Sequence, residues 1–403
     1  MSSQTPPPVP SPPAPDQTDR LILQVAEAEA GLGSAGDVIV IDDETGALVA
    51  GALAVGETAR VHAWQSSRLR AEALHEMFAA DVASGRLRIA GLPDAAGEAV
   101  PADLVELAEG APAAGTVLLR LPKSLAALDA RARDLAAAAQ RTGREDQTLV
   151  GGARVKHMTR TQNSVLEESF AQVHATLGLA KSRGLVASGP RGDVGRARTE
   201  AGAAHVPVRG VDTELGLRSV GGVFSGTAAD AGSLLLLHAL DAALEAGEIG
   251  EPMAELVDLG CGNGLLSAYL AAALPAARIR ASDEDLDAVA STLATLSAHG
   301  IEAVPAAAAT GASVSWEASL ADTEDGSADL VLLNPPFHDG TTLDPTLVQG
   351  LLDAAGRVLR PGGELWFVHN SHLRYRPEVE RRVGETEQRA RDRRFTVLRA
   401  IRS

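Results

Sequence analysis

The sequence predicts an α/β protein of two tandem, doubly wound, Rossmann-like domains, the first of them degenerate. Three observations predict it. A glycine turn, Asp258-Leu259-Gly260-Cys261-Gly262-Asn263-Gly264, follows the apolar pair Leu256-Val257 and precedes a helical pattern from Leu265 to Ala273. A second buried-strand run, Asp329 to Leu333, ends in Asn334-Pro335-Pro336-Phe337. Four stretches of the amino-terminal half also recur in the carboxyl-terminal half at nearly constant spacing. Glycines at a strand-to-helix turn let the backbone approach a ligand closely, and ligands of open α/β sheets sit at the carboxyl ends of the strands.

In chain order, seven of the first fifteen residues are proline and no apolar pattern accompanies them, so residues 1–20 read as a disordered tail. Residues 21–195 form the first domain. Its strand Val38 to Asp42 matches Leu256-Val257-Asp258, with Asp42 on Asp258 at an offset of 216. Val117 to Pro122 matches Leu330 to Pro335 at 213, and Gly151-Gly152 with His157 matches Gly362-Gly363 with His369 at 211 to 212. Ser182 to Ala187 matches Phe395 to Ala400 near 213. Where the second copy has its glycine turn, the first has Asp42-Asp43-Glu44-Thr45-Gly46-Ala47, whose acids would repel a carboxylate or phosphate. Where the second has Asn334 to Phe337, the first has Leu121-Pro122-Lys123-Ser124. Gly189 to Gly202, rich in Gly and Arg, is the expected linker, and residues 205–403 form the catalytic domain.

The turn spacing is G-x-G-x-G, with Asp258 two residues before Gly260. A dinucleotide site wants G-x-G-x-x-G, so the spacing favours S-adenosylmethionine, which has no pyrophosphate to seat on the helix terminus. Asp283, ending the next strand, is placed to accept from ribose hydroxyls, which either cofactor would allow. Asn334 to Phe337 indicates what is attacked. An exocyclic amine on a base or amide is a poor nucleophile because its lone pair is delocalised. Acceptance of its N–H groups by the Asn334 side-chain oxygen and the Pro335 carbonyl would localise that pair. Pro335 and Pro336 stiffen the backbone, and Phe337 offers a ring on which a planar base can stack. No metal, nucleophilic serine or strong base is needed.

Composition restricts the alternatives. At 403 residues and 45% hydrophobic, the chain supports two packed domains, with no membrane-spanning run and no signal peptide. One cysteine, Cys261, excludes a disulfide framework and agrees with the cytoplasm; it reads as a small residue in the turn, not a catalytic thiol. The net charge of −17 means that any nucleic-acid contact must rest on local basic islands.

Asn334-Pro335-Pro336-Phe337-His338-Asp339-Gly340 resembles the signature of the ribosomal RNA guanine-N2 methyltransferases, the small subunit methyltransferase C and large subunit methyltransferase G group. Gly222-Val223-Phe224-Ser225 with Asp230-Ala231-Gly232-Ser233 matches too. His369 to Tyr375 through Ala400, and Lys156-His157-Met158, resemble the large subunit enzyme more closely. The resemblance implies two methyltransferase-like domains, of which only the second binds S-adenosylmethionine, and methyl transfer to the N2 amine of a guanine in ribosomal RNA or a ribosomal subunit. It implies that Asn334 and Pro335 hold the amine and Phe337 the base. Phe224, Ser225 and Asp230 would lie near the methionine end of the cofactor, and Glu317 would accept from its adenine amine, where the family more often has a neutral amide. Gly260, Gly262, Asn263, Gly264, Asp258 and Asp283 complete the expected cofactor site. His338 and His369 are expected to be structural.

A guanine N2 in a duplex is hydrogen-bonded, so the base must be unpaired or swung out to reach Asn334. Two basic islands are candidates for RNA. Residues 374–402 carry ten arginines against five acids, a local +5, and Lys181, Arg183, Arg191, Arg196 and Arg198 against Asp193 give +4. Each of these arginines could equally belong to a solvated face of ion pairs. The expected protein is a monomer without metal. Methyl transfer to another exocyclic or amide nitrogen, in DNA, RNA adenine or a protein glutamine, remains open, as does a nicotinamide oxidoreductase or a non-catalytic cofactor-binding adaptor.

Overall fold

A computed structural model describes residues 14–34, 36–56, 58–250, 252–305, 311–335 and 345–403, and the chain divides into two compact units, Met1–Arg198 and Thr199–Ser403. Pro336 and Phe337, like His338, lie outside the described residues. Among those described, no helix is long and apolar enough to cross a membrane.

The first unit runs α1 (Gln17–Glu29), β1 (Asp37–Ile41), α2 (Ala47–Leu53), β2 (Arg60–Trp64), α3 (Arg68–Met77), α4 (Ala79–Ala83), β3 (Leu87–Ile89), α5 (Leu104–Glu109), β4 (Ala114–Arg120), α6 (Leu125–Thr142), β5 (Thr148–Arg154), α7 (Thr161–Ser169), β6 (Phe170–Ala175) and β7 (Ser182–Pro190). Its seven strands lie in the order β3-β2-β1-β4-β5-β7-β6, parallel up to β5 and antiparallel at β7 and β6. The tail ends earlier than the sequence suggested. Asp16 caps α1, accepting from the Thr18 and Asp19 amides at 2.7 and 2.9 Å while Asp19 accepts from the Asp16 amide. This reciprocal cap starts the helix at Gln17, and Leu21, Ile22 and Val25 bury its apolar face.

The second unit opens with a hairpin, β8 (Thr199–Val208) and β9 (Val211–Val220). Then come α8 (Ala231–Glu245), β10 (Glu255–Leu259), α9 (Leu265–Ala273), β11 (Arg278–Asp283), α10 (Leu286–Ala298), β12 (Ala303–Pro305), β13 (Ala312–Trp316), β14 (Ala328–Leu333), α11 (Pro345–Val358), β15 (Leu359–Asn370), α12 (Arg376–Arg382), β16 (Gly384–Arg391) and β17 (Phe395–Arg402). The sheet order is β12-β13-β11-β10-β14-β15-β17-β16, the first unit's order with one extra edge strand. The expected linker is shorter than predicted, because β7 takes in Gly189 and Pro190 and β8 begins at Thr199. Successive residues of a strand point to opposite faces, and the core divides accordingly. Leu256, Leu330, Leu332 and Trp366 pack on one side with α8 and α9, whereas Val257, Leu259, Val331, Leu333 and Phe367 pack on the other with α11.

The repeat is present, but strand register corrects two of its anchors. Ile41 pairs with Leu119 and Trp64 as Leu259 pairs with Leu333 and Ser282, so the β1/β10 offset is 218 and not 216. Asp42 therefore stands on Gly260, not on Asp258. Matching like residues had overridden the pattern of burial. Gly151 stands on Phe367, an offset of 216, so neither Gly362-Gly363 nor His369 is the counterpart of Gly151-Gly152 and His157. The β4/β14 offset is 214 and the β7/β17 offset 213, close to expectation.

Candidate active site

The site is built where β10 and β14 end side by side. Main-chain bonds from Gly260 and Cys261 to the Ser282 carbonyl, at 2.8 and 3.0 Å, fold the turn over the end of β11. Gly260, Gly262 and Gly264 have φ of +81°, +54° and +81°, conformations that a side chain strains. A Cβ on Gly264 would fall 3.0 Å from the Thr292 Cα, whereas one on Gly262 would meet nothing within 4 Å, so the turn is closed against α10 and open on its other side.

Around that open side runs a cavity lined by Phe224, Ser225, Asp230, Ser233, Gly260, Cys261, Gly262, Asn263, Leu265, Leu266 and Asn334. Seven predicted residues, Phe224, Ser225, Asp230, Gly260, Gly262, Asn263 and Asn334, thus meet in one place. The Asn263 amide donates to the Gly226 and Ala228 carbonyls at 3.0 and 2.9 Å, while its oxygen accepts from the Leu265 amide. Its side chain ties the 223–228 segment to the turn, so its function in the cavity is to hold a wall.

Asn334 is the centre of the polar arrangement. Its Nδ2 donates to both carboxylate oxygens of Asp230 at 3.2 Å and contacts the Ser233 hydroxyl at 2.8 Å. Asp230 caps α8, accepting from the Gly232 and Ser233 amides at 2.9 and 3.0 Å. A carboxylate can only accept, so the amide nitrogen must face it and the carboxamide oxygen is left as an acceptor for something else. Ser233 has no role in the sequence reading beyond its place in the motif Asp230 to Ser233, although Asp-x-x-Ser at a helix start is a signal for one.

Other predicted residues lie just outside the cavity lining. Asp283 accepts from the Gly262 amide at 3.0 Å and the Asp285 amide at 2.9 Å, and burial pushes its carboxyl up to about 6. Glu317 follows β13 and donates its backbone N–H to the Asp283 carbonyl at 2.9 Å, while its carboxylate accepts from the Asp322 amide at 3.4 Å. Asp258 is fully buried beneath the turn. The Ser267 hydroxyl donates to one of its oxygens at 2.6 Å, the other has no hydrogen-bond partner, and burial, helped by Asp283, pushes the carboxyl up to about 7. It can support the turn from below but does not face the cavity. The buried Cys261 thiol is pushed far up by the same burial and is no nucleophile. His369 stacks on Phe367 at 5.4 Å and donates from Nδ1 to the Asn370 carbonyl, a packed wall residue.

The first unit has the same frame with each opening filled. Asp42 holds a φ of +52° where Gly260 stands, and its carboxylate accepts from Ser66 at 2.9 Å. Asp43, on Cys261, accepts from the Thr45, Gly46, Leu48 and Val49 amides and so occupies the α2 terminus itself. Gln65 stands on Asp283 and donates to the Asp43 carbonyl. Register also places Arg120, not Leu121, on Asn334, and it pairs with Asp16, Asp19 and Glu44.

Comparison with known proteins agrees with both units. The model of the RLMG N-terminal domain matches residues 10–191, and that of the methyltransferase small domain matches residues 214–399. The ribosomal RNA large subunit methyltransferase G of Streptomyces coelicolor is 32% identical over 391 residues, covering 96% of this chain and 93% of that protein. The chain belongs to the ribosomal RNA large subunit methyltransferase G family. A second member, from Stutzerimonas stutzeri, is 31% identical, with 96% of this chain and 93% of that protein covered. The small subunit methyltransferase C of Pseudomonas entomophila is 38% identical over 47% of this chain and 52% of its own. Among solved structures, the T. thermophilus 16S rRNA N2 G1207 methyltransferase, in complex with AdoMet and guanosine, shares the fold at a TM-score of 0.70 and 22% identity, covering 96% of this chain and 92% of that one.

Proposed function

We propose that this member of the methyltransferase G family transfers a methyl group from S-adenosylmethionine to the exocyclic N2 of a guanine in ribosomal RNA, as a cytoplasmic monomer. The observation that carries the reading is the orientation of Asn334, whose amide nitrogen is committed to Asp230 and Ser233 so that its oxygen is the atom offered to an amine. Bound at the glycine turn, the sulfonium would supply an already activated methyl. The open side of Gly262 allows a close backbone approach and the Asp283 carboxylate offers an acceptor, the chemistry such a ligand needs. Asn334 Oδ1 and the Pro335 carbonyl each accept an N–H of the amine, drawing its lone pair out of the ring and aiming it. In the transfer the S–C bond would break as the N–C bond forms, S-adenosylhomocysteine would leave, and the alkylated amine would give up one proton to solvent. Phe224, half exposed at the cavity mouth, borders the approach.

The test is a tritium-labelled methyl donor incubated with unmodified ribosomal RNA and subunits. N2-methylguanine is the expected product; label in adenine or in protein would move the assignment to those nitrogens, and absence of label in every RNA form tried would defeat it.

Ribose hydroxyls donate more strongly to an ionised carboxylate than to a neutral one. Since the Asp283 carboxyl is raised to about 6, S-adenosylhomocysteine should bind roughly tenfold more weakly at pH 5 than at pH 7, with little change above. Calorimetric titration of the wild type and of Asp283→Asn, in which the slope should vanish, checks this.

Only part of each basic island read in the sequence is proposed to meet RNA. Arg196 and Arg198 are held by Asp103, Asp134 and Glu168, Arg191 donates to two carbonyls, and Arg376, Arg381, Arg382, Arg389 and Arg399 are ion-paired. Among the described residues, some exposed basic side chains without an ion pair lie at equivalent strand ends of the two sheets. One such group in the first unit is Arg154, Lys156, Lys181 and Arg183, and its counterpart in the second is Arg374, Arg391 and Arg393. Cations without an internal partner are free to neutralise phosphate. Alanine at Arg391 and Arg393, or at Lys181 and Arg183, should lower RNA affinity severalfold and reduce the salt slope by roughly 0.7 per lost contact, read by filter binding at several salt concentrations.

A further inference from the structure

The methylation reading leaves open why position 334 carries an amide and what holds it. We infer that Asp230 and Ser233 are positioning residues for Asn334, and that the Asp230 carboxylate is what requires an amide there. The proposal rests on the amine-methylation reading and extends it to residues that touch neither the reacting nitrogen nor the methyl.

Asp230 begins α8 and Asn334 ends β14, 104 residues apart in sequence, yet the Asn334 Nδ2 lies 3.2 Å from both carboxylate oxygens. Asp230 is fixed in turn by the Gly232 and Ser233 amides at the start of α8. The Ser233 hydroxyl, itself buried, takes the third contact at 2.8 Å. With its nitrogen held by two residues of one helix turn, the carboxamide has a single orientation. A flipped amide would point an oxygen at a carboxylate.

A carboxylate accepts from an amine at least as well as an amide does, so chemistry alone would permit aspartate at 334. Its neighbour would not. Two carboxylates at about 3 Å cannot both ionise, so an aspartate would either share a proton with Asp230 or swing away from it. The same geometry admits the exchanged pair. Asparagine at 230 can still cap α8 through its oxygen while its nitrogen donates to an aspartate at 334, and Ser233, a donor as well as an acceptor, can turn its proton toward that aspartate.

The experiment compares Asn334→Asp, the exchange Asp230→Asn with Asn334→Asp, and Ser233→Ala, each assayed as the full chain for kcat, for KM of both substrates and for S-adenosylhomocysteine affinity. Asn334→Asp should lose roughly 100-fold in kcat, and the exchange should regain about tenfold of it. Ser233→Ala, which leaves the Asp230 cap intact, should lose roughly three- to tenfold in kcat with the cofactor KM unchanged. An exchange no more active than Asn334→Asp, or an Asn334→Asp variant close to wild type, overturns the proposal. Should the position 334 variants not fold, an unaltered kcat in Ser233→Ala overturns it alone. A wild-type chain that makes no N2-methylguanine would instead defeat the methylation reading.

Discussion

Asn334→Ala should bind S-adenosylhomocysteine as the wild type does and turn over roughly 100- to 1,000-fold more slowly, the cost typical of deleting one preorganised partner of a reacting group. The substitution removes the acceptor that localises the amine lone pair, while the glycine turn and Asp283 are untouched. It also leaves Asp230 and Ser233 without the amide between them. Part of the deficit can be structural, so the measurement must separate the two. Single-turnover transfer of labelled methyl reports the chemical step, and calorimetry with S-adenosylhomocysteine reports the cofactor site. A variant within fivefold of wild type in single turnover would contradict the role given to Asn334.

Gly264→Ala should be the more damaging change to the fold itself. At φ +81° an added Cβ strains the backbone by about 1–2 kcal/mol. That carbon would also sit 3.0 Å from the Thr292 Cα and 3.1 Å from the Thr295 Cβ. Backbone on the far side cannot swing away as a flexible side chain would, and overpacking of this kind costs about 1–3 kcal/mol more. Thr295 additionally donates to the Asn263 carbonyl at 2.8 Å, so displacing α10 loosens the turn that the ligand would occupy. We expect a destabilisation of roughly 2–5 kcal/mol together with loss of cofactor binding. Gly262→Ala is the matched control: its φ is also positive, at +54°, but its Cβ would meet open space. It should cost about 1 kcal/mol. Chemical denaturation of both variants tests the difference, and equal destabilisation would show that the closed side of the turn is unimportant.

Much of the fold was legible because parallel strands buried on both faces read as uninterrupted apolar runs, and because the turn between β10 and α9 demands glycines. Helix α9 falls on the residues where its periodicity placed it, Leu265 to Ala273. Register was less legible. Asp42 and Asp258 look alike in sequence, but Asp258 is an interior strand residue and Asp42 occupies a left-handed turn position, a distinction of backbone angle that composition does not carry. In the site, Gly260, Gly262, Asn263 and Asn334 could be named from spacing. The part of Asp230 could not be read, because a contact between a helix start and a strand end 104 residues away leaves no local trace. For the same reason, counting arginines could not separate those neutralised by a distant carboxylate, such as Arg389 on Glu248, from those facing solvent.

The plugged turn of the first unit has a thermodynamic consequence. A protein whose ligand cleft is satisfied by water alone gains stability when ligand arrives, by mass action. Asp43 has taken that role permanently, its carboxylate accepting from the amides of Thr45 and Gly46 before α2 and of Leu48 and Val49 within it. At this turn the first unit therefore holds together without a small molecule, whereas the turn of the second unit gains cohesion when its ligand binds.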